Sequence, residues 1–194
     1  MEIDPSRTQS MYRTLSGAVV PRPIAWVSTT SEDGVDNLAP YSFFNVVSSA
    51  PPTLLFAPGD RPGGYTDTAR NAIDTGEFVV NVVDRAMAEA MNATSATLRR
   101  GESEFEHAGV EAAPSTRVRP PRVAASPVSF ECELTDFVEI GTGNAVFGEV
   151  VYAHVDDAVT TDGKLDVTKL DAVGRLAGSY YCTTRDRFRM VRPD

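Results

Sequence analysis

The sequence predicts a mainly β fold, a small antiparallel barrel with peripheral helices, occupying residues 1–194 as one domain. Three observations carry this. Residues 24–30 and 38–47 are rich in β-branched and aromatic side chains and flank the turn residues Glu32-Asp33-Gly34. Two longer stretches of the same kind, 128–140 and 145–155, flank Gly141-Thr142-Gly143-Asn144, a hairpin by turn chemistry. Helical patterning is confined to short pieces, which suits a strand-dominated architecture.

In chain order, residues 1–16 are expected to form a short helix or arm. Pro21 and Pro23 then impose an extended entry into the first strand. Residues 53–57 form a short strand, and Pro58-Gly59-Asp60-Arg61-Pro62-Gly63-Gly64 is a loop by composition. A helix spans 66–73, capped at Thr66 or Asp67 and closed near Gly76; a strand spans 78–83; a second helix spans 84–92 with Asp84 as its N-cap. Four prolines within residues 109–127 predict a long loop, Asp162-Gly163 a turn, and residues 168–170 a short helical segment.

With 42% hydrophobic and 23% charged residues the chain has the composition of an ordinary soluble globular domain. Residues 1–16 contain no apolar run of the signal-peptide kind, and no stretch approaches the roughly 20 apolar residues of a spanning helix, so the expected location is cytoplasmic. A net charge of −9 disfavours nucleic acid and anionic membranes, both of which would be repelled. It also means that any bound phosphate needs local positive charge or clustered N–H donors. Lysine occurs only at Lys164 and Lys169, so arginine must supply that charge. Cys132 and Cys182 have neither metal nor redox spacing and are expected to be buried free thiols. With only His107 and His154 besides, no structural zinc site is expected.

Gly141-Thr142-Gly143 is not a dinucleotide fingerprint, because Val146 stands where the third glycine would be and the segment opens a strand where a helix is required. Phosphate-loop and nucleophile-elbow motifs are also absent from the sequence. An enzyme built from these residues would therefore rely on a bound cofactor. The hydroxyls, amides and aromatics of residues 21–49 form a polar rim suited to a flat ligand with hydrogen-bonding edges.

Several words in this sequence resemble the flavin reductase-like, FMN-binding split-barrel family, which includes flavoredoxins and reductase components of two-component monooxygenases. They are Pro-Arg-Pro-Ile-Ala-Trp-Val-Ser-Thr (21–29), Asn-Leu-Ala-Pro-Tyr-Ser-Phe-Phe-Asn (37–45), Asp67-Thr68-Ala69-Arg70-Asn71, Val80-Asn81, Ser103-Glu104-Phe105, Gly148-Glu149-Val150 and Gly174-Arg175-Leu176, in the family's order along nearly the whole chain. The resemblance implies an FMN-binding split barrel, Greek-key-like in its antiparallel connections, acting as a homodimer. It further implies hydride transfer from NADH or NADPH to the flavin, with a monooxygenase or another acceptor receiving the electrons. A flavoredoxin-like electron carrier without NAD(P)H activity is the alternative. A split-barrel oxidase of pyridoxine phosphates is a third, less favoured by the matching words.

The implied cofactor-binding residues are Trp26, Ser28, Thr29, Tyr41, Ser42, Phe43, Asn45, Asp67, Thr68, Asn71 and Arg175; no side chain is assigned as catalytic, since the flavin carries the chemistry. For Trp26 a barrel-wall core position competes with flavin contact, and for Ser28 and Thr29 strand-end capping competes with phosphate or ribityl contact. The segment 41–45 is implied to lie along the isoalloxazine edge. Asp67, Thr68 and Asn71 fall on the first turns of a helix, where free N–H groups and the dipole favour an anion. The family commonly has lysine where this chain has Thr66, so Arg22, Arg61 or Arg70 is expected to stand in for it. His154 is read as a satisfied structural side chain and His107 as surface.

Overall fold

The structure is a computed structural model that describes residues 2–62 and 64–193. A 3-10 turn at Pro5–Arg7 precedes helix α1 (Tyr12–Ala18) and strands β1 (Arg22–Pro23), β2 (Ala25–Thr30), β3 (Asp36–Tyr41), β4 (Phe44–Ser49) and β5 (Pro52–Phe56). Helix α2 (Asp67–Thr75) leads into β6 (Glu77–Val82), then α3 (Ala88–Ala93) and α4 (Glu104–Ala108). The strands β7 (Ala112–Ala113) and β8 (Arg122–Val123) tie the ends of the proline-rich loop together. The long hairpin β9 (Val128–Ile140) and β10 (Gly143–Val155) follows, then the small hairpin β11 (Thr160–Thr161) and β12 (Lys164–Leu165), and finally β13 (Val173–Arg175) and β14 (Tyr181–Thr183). Among the described residues no helix is long and apolar enough to cross a membrane.

Seven strands form one antiparallel sheet in the order β3-β2-β6-β9-β10-β5-β4. Its two edges, β3 and β4, are consecutive in the chain and separated only by Ser42 and Phe43. A flat sheet of this order would hold its edges roughly 29 Å apart, whereas three Cα steps reach about 11 Å. The sheet must therefore curl until its edges meet at this corner. The Tyr41 and Phe56 rings lie 5.3 Å apart there, and the Ala57 amide donates to the Phe43 carbonyl at 2.7 Å. No ladder joins β3 to β4, so the barrel closes at this corner and stays split along the rest of the seam.

Strand β2 is buried on both faces. Ala25 and Val27 point into the barrel with Leu54, Phe56, Phe78, Val80 and Val146. Ile24 and Trp26 point outward into a second core made with Leu38, Met91, Phe105 and Val173. Gly148 lies where the Phe78 ring crosses β10: a Cβ there would sit 2.3 Å from Phe78 Cζ. The β9–β10 register shifts beside it, between Phe147 and Gly148.

Local expectations hold where the signal is a cap or a turn. Thr66 accepts from the Ala69 amide at 3.3 Å and Gly76 closes α2 at φ 73°. Asp84 caps its helix, although the first turn is 3-10 before α3 begins. The structure corrects other details. The expected strand 38–47 is broken at Ser42 and Phe43 because barrel closure needs a corner. Residues 168–170 form a turn instead of a helix. Cys132 is buried, but Cys182 is only half-buried.

Glu131, fully buried, organises the loop before β9. Its carboxylate accepts from the amides of Thr116, Arg117 and Val118 at 2.7, 2.5 and 3.2 Å, and His154 Nε2 lies 2.6 Å from it. Burial pushes this carboxyl up, but these hydrogen bonds outweigh it and hold Glu131 below the usual carboxylate range. A depressed folded value means that its stabilisation is present at neutral pH and is lost as the pH falls through that value. Replacing Glu131 by Ala should cost about 1–3 kcal/mol in urea unfolding, with the difference from wild type shrinking in acid. Replacing Gly148 by Ala should cost about 1–3 kcal/mol in the same assay, because backbone or Phe78 must shift to admit the methyl.

Candidate flavin site

The site is built where the end of β2, strand β3 and the start of α2 converge. Asn37 is its centre. The hydroxyls of Thr29 and Thr68 donate to Asn37 Oδ1 at 3.3 and 2.7 Å, and Asn71 Nδ2 donates to the Thr29 hydroxyl at 3.1 Å. Asn37 Nδ2 and the Leu38 amide both donate to Glu104 Oε2, at 2.7 and 3.1 Å. All five side chains are buried, and the network satisfies them in one direction, from Asn71 through Thr29 and Asn37 to Glu104. Burial raises the Glu104 carboxyl above its ordinary value despite the donors it faces. The consequence is positional: α2 is tied to two strands at its N-terminal end, and its first amides have a fixed direction. A small cavity of about 60 Å³ opens beside Asn37, Asp67, Asn71 and Arg100.

Next to this network lies the barrel corner. The Tyr41 hydroxyl neighbours those of Thr66 and Thr68, with the Arg61 charge close by; burial nevertheless raises the Tyr41 phenol above its ordinary value. Phe43 is half-exposed, 6.5 Å from the Tyr12 ring. With Ser42, Asn45, Leu15, Val19 and Arg22 it lines a groove of about 380 Å³, inside the range of about 300–1,000 Å³ for small-molecule sites.

The three arginines differ in availability. Arg22 is buried, donating to the carbonyls of Ser16, of Val19 at 2.9 Å and of Leu176 at 2.9 Å, so it ties α1 to the chain after β13. Arg70 shares a depression with Asp60, Asp74 and Glu139, an acidic setting. Arg61 is exposed and makes no side-chain hydrogen bond or ion pair among the described residues.

Other expected site residues lie apart from this corner. Trp26 is fully buried in the outer core and donates Nε1–H to Thr94 Oγ1 at 2.9 Å. Ser28 is also buried, donating to the Pro121 carbonyl and accepting from Asn81 Nδ2 at 3.4 Å. Arg175 stacks on Tyr181 with its guanidinium 4.4 Å from the ring centroid and donates to the Gly178 carbonyl at 2.6 Å. It lines a separate cavity of about 690 Å³ with Arg85, Asn92, Ser179 and Cys182. Thus Thr29, Asp67, Thr68 and Asn71 come together, Tyr41 lies beside them, Ser42, Phe43 and Asn45 line the groove that Tyr41 leads into, and Trp26, Ser28 and Arg175 do not join them. Asn37 and Glu104 were not singled out by sequence reasoning, although both stand inside the family words 37–45 and 103–105.

Replacing Glu104 by Gln keeps an oxygen for both donors and removes a charge that burial disfavours, so no stability should be lost at neutral pH. Because the folded value is raised, wild-type stability should fall as pH rises through it, and the Gln variant should lack that dependence. Glu104→Ala, leaving two buried donors unpaired, should cost about 1–3 kcal/mol. Urea unfolding followed from the ordinary carboxylate range upward past neutral pH checks all three.

A family model described as "Flavin reductase like domain" matches residues 16–170. A protein of Halalkalibacterium halodurans is 42% identical over 189 residues, covering 94% of this chain and 90% of that one. Bacillus subtilis YwrF is 39% identical over 200 residues, covering 99% and 98%. Of solved structures, nitrilotriacetate monooxygenase component B from Bacillus cereus superposes with a TM-score of 0.94 at 33% identity, covering 98% of each chain. The Pseudomonas fluorescens 2-nitrobenzoate 2-nitroreductase NbaA gives 0.91 at 33% identity, covering 100% of this chain and 96% of that one. Flavoredoxin of Desulfovibrio vulgaris, at 21% identity, TM-score 0.77 and coverage of 100% and 97%, shares the fold. On its sequence and its barrel alike, this chain belongs to the flavin reductase-like family.

Proposed function

We propose that the protein is a homodimeric FMN-binding flavin reductase that takes hydride from NADH or NADPH. The observation that carries this reading is the α2 N-terminus, fixed by the Asn37 network and linked through Tyr41 to the Arg61 charge and to the chain that runs into the groove at Ser42, Phe43 and Asn45. These residues fit a flavin: a helix start with an available cation suits a phosphate, and a half-exposed aromatic corner with polar neighbours suits a tricyclic ring with hydrogen-bonding edges. Bound FMN would supply the chemistry, accepting hydride at N5 from nicotinamide C4.

The chain's own part is binding and orientation. The first-turn amides of α2 and Arg61 would hold the phosphate, with Arg61 replacing the family's lysine at Thr66. Thr29, Thr68 and Asn71 act behind them by holding the helix start in place. Backbone groups of 41–45 would meet the pyrimidine edge, and Phe43 would wall the ring from water. The exposed apolar band of Tyr12, Leu15, Val19, Phe43, Val46 and Val47 is of the kind that a second subunit covers. Delivery of reduced flavin to a monooxygenase is supported by the likeness to nitrilotriacetate monooxygenase component B.

The test is anaerobic absorbance of the FMN-reconstituted protein after addition of NADH, then NADPH. Rapid bleaching of the oxidised-flavin band is expected. A yellow protein bleached by neither would make it an electron carrier of the flavoredoxin kind, and failure to bind FMN would overturn both readings. Arg61→Ala should weaken FMN binding by about 10-fold or more, as for loss of a charge-assisted hydrogen bond. Fluorescence titration reads this, with apoprotein stability unchanged because Arg61 is exposed.

A further inference from the structure

The end of the chain differs from the rest in both charge and exposure. Its last ten residues, 185–194, carry four arginines and two aspartates, so of the overall −9 this segment contributes about +2 and the preceding residues about −11. The segment is anchored to its own chain at its start. Arg185 Nε lies 2.8 Å from Asp171 Oδ2, and the Arg187 guanidinium donates to the carbonyls of Thr184 at 2.9 Å and Thr168 at 3.2 Å. Beyond Arg187, Phe188, Met190 and Val191 are 86%, 80% and 92% exposed. Three large apolar side chains this open within four residues form a sticky surface that its own chain leaves uncovered.

A complementary surface stands at the tip of the β9–β10 hairpin. Val138 and Ile140 are exposed there on one face of the strand with the exposed carboxylate of Asp136, while Glu139 points to the other face and accepts from the Tyr65 hydroxyl. The hairpin face thus sets two apolar side chains beside one carboxylate, and the arm sets Phe188, Met190 and Val191 beside Arg189 and Arg192. We propose that residues 188–193 form an arm that seats on the β9–β10 hairpin tip of a second copy of this chain, apolar on apolar and arginine on carboxylate. A second copy is favoured over an anionic membrane or nucleic acid because the body's charge of about −11 attracts the arm and repels both of those. Reciprocal exchange by a twofold would bury two arms and two hairpin tips at once. This inference rests on the homodimer in the reading above and assigns it a specific contact.

The test is sedimentation equilibrium of the apoprotein in three forms: the full chain, a chain ending at Arg187, and Phe188→Ser/Met190→Ser/Val191→Ser. Near-UV circular dichroism confirms native packing. The full chain should be dimeric, and both variants should dimerise at least ~100-fold more weakly, as expected for exposing three buried apolar side chains. Ile140→Lys, at the receiving surface, should weaken the dimer as well. A full chain that is monomeric would overturn the homodimer and the arm together. Dimers of unchanged affinity in the arm variants would overturn the arm alone and leave the homodimer standing. Arm variants that lose native packing would overturn it too, since the segment would then belong to its own chain's core.

Discussion

Ser42 and Phe43 must join the two outermost strands of a seven-stranded sheet, and most of the architecture follows from that short reach. The sheet curls because two residues cannot cross its width. The interior then fills with Phe56, Phe78 and Val146, Phe78 taking the space that Gly148 leaves open. The same corner is the natural place for a ligand. Backbone at a barrel closure leaves the ladder, so the Ser42 and Phe43 amides are freed from it while the Phe43 carbonyl is taken by Ala57, and the half-exposed Phe43 ring provides an apolar wall beside them.

Helix α2 would supply the second half of the proposed site, and its start is fixed by polar groups. Thr29, Asn37, Thr68, Asn71 and Glu104 are buried in a region where an apolar cluster would be the simpler solution. Their value lies in direction. Hydrogen bonds fix the azimuth and depth of a helix start in a way that interchangeable apolar contacts do not. For a chain of net charge −9, holding a phosphate requires donors that do not turn away, and a helix start bolted to two strands supplies them. The raised Glu104 value is the cost of that arrangement, since its carboxylate is kept from water to receive Asn37 and Leu38.

The parts of the fold legible in the sequence were those set by local chemistry: the Thr66 and Asp84 caps, the Gly76 stop and the long hairpin around Gly141. The break at Ser42 was not legible, because it is imposed by closure of strands distant in sequence while its residues favour a continuous strand. Helix α4, five residues long, is too short to show periodicity. Within the polar network around Asn37, Thr68 and Asn71 could be singled out because they begin a helix. Asn37 and Glu104 were missed because a bonded pair 67 residues apart leaves no local pattern. Arg22 is one of the three arginines the sequence offers for a phosphate; that it serves three backbone carbonyls depends on the path of α1 and the turn after β13.

The central claim is that the α2 N-terminus and the 41–45 corner form one cofactor site held in place by Asn37. Amide hydrogen exchange with and without FMN tests it most directly, because it reports where binding quiets the backbone without presupposing an activity. Protection concentrated in the first turn of α2 and in residues 41–45, with none gained at the cavity beside Arg175, is the result this account predicts. Protection centred on residues 173–183 instead, with α2 unchanged, would contradict it.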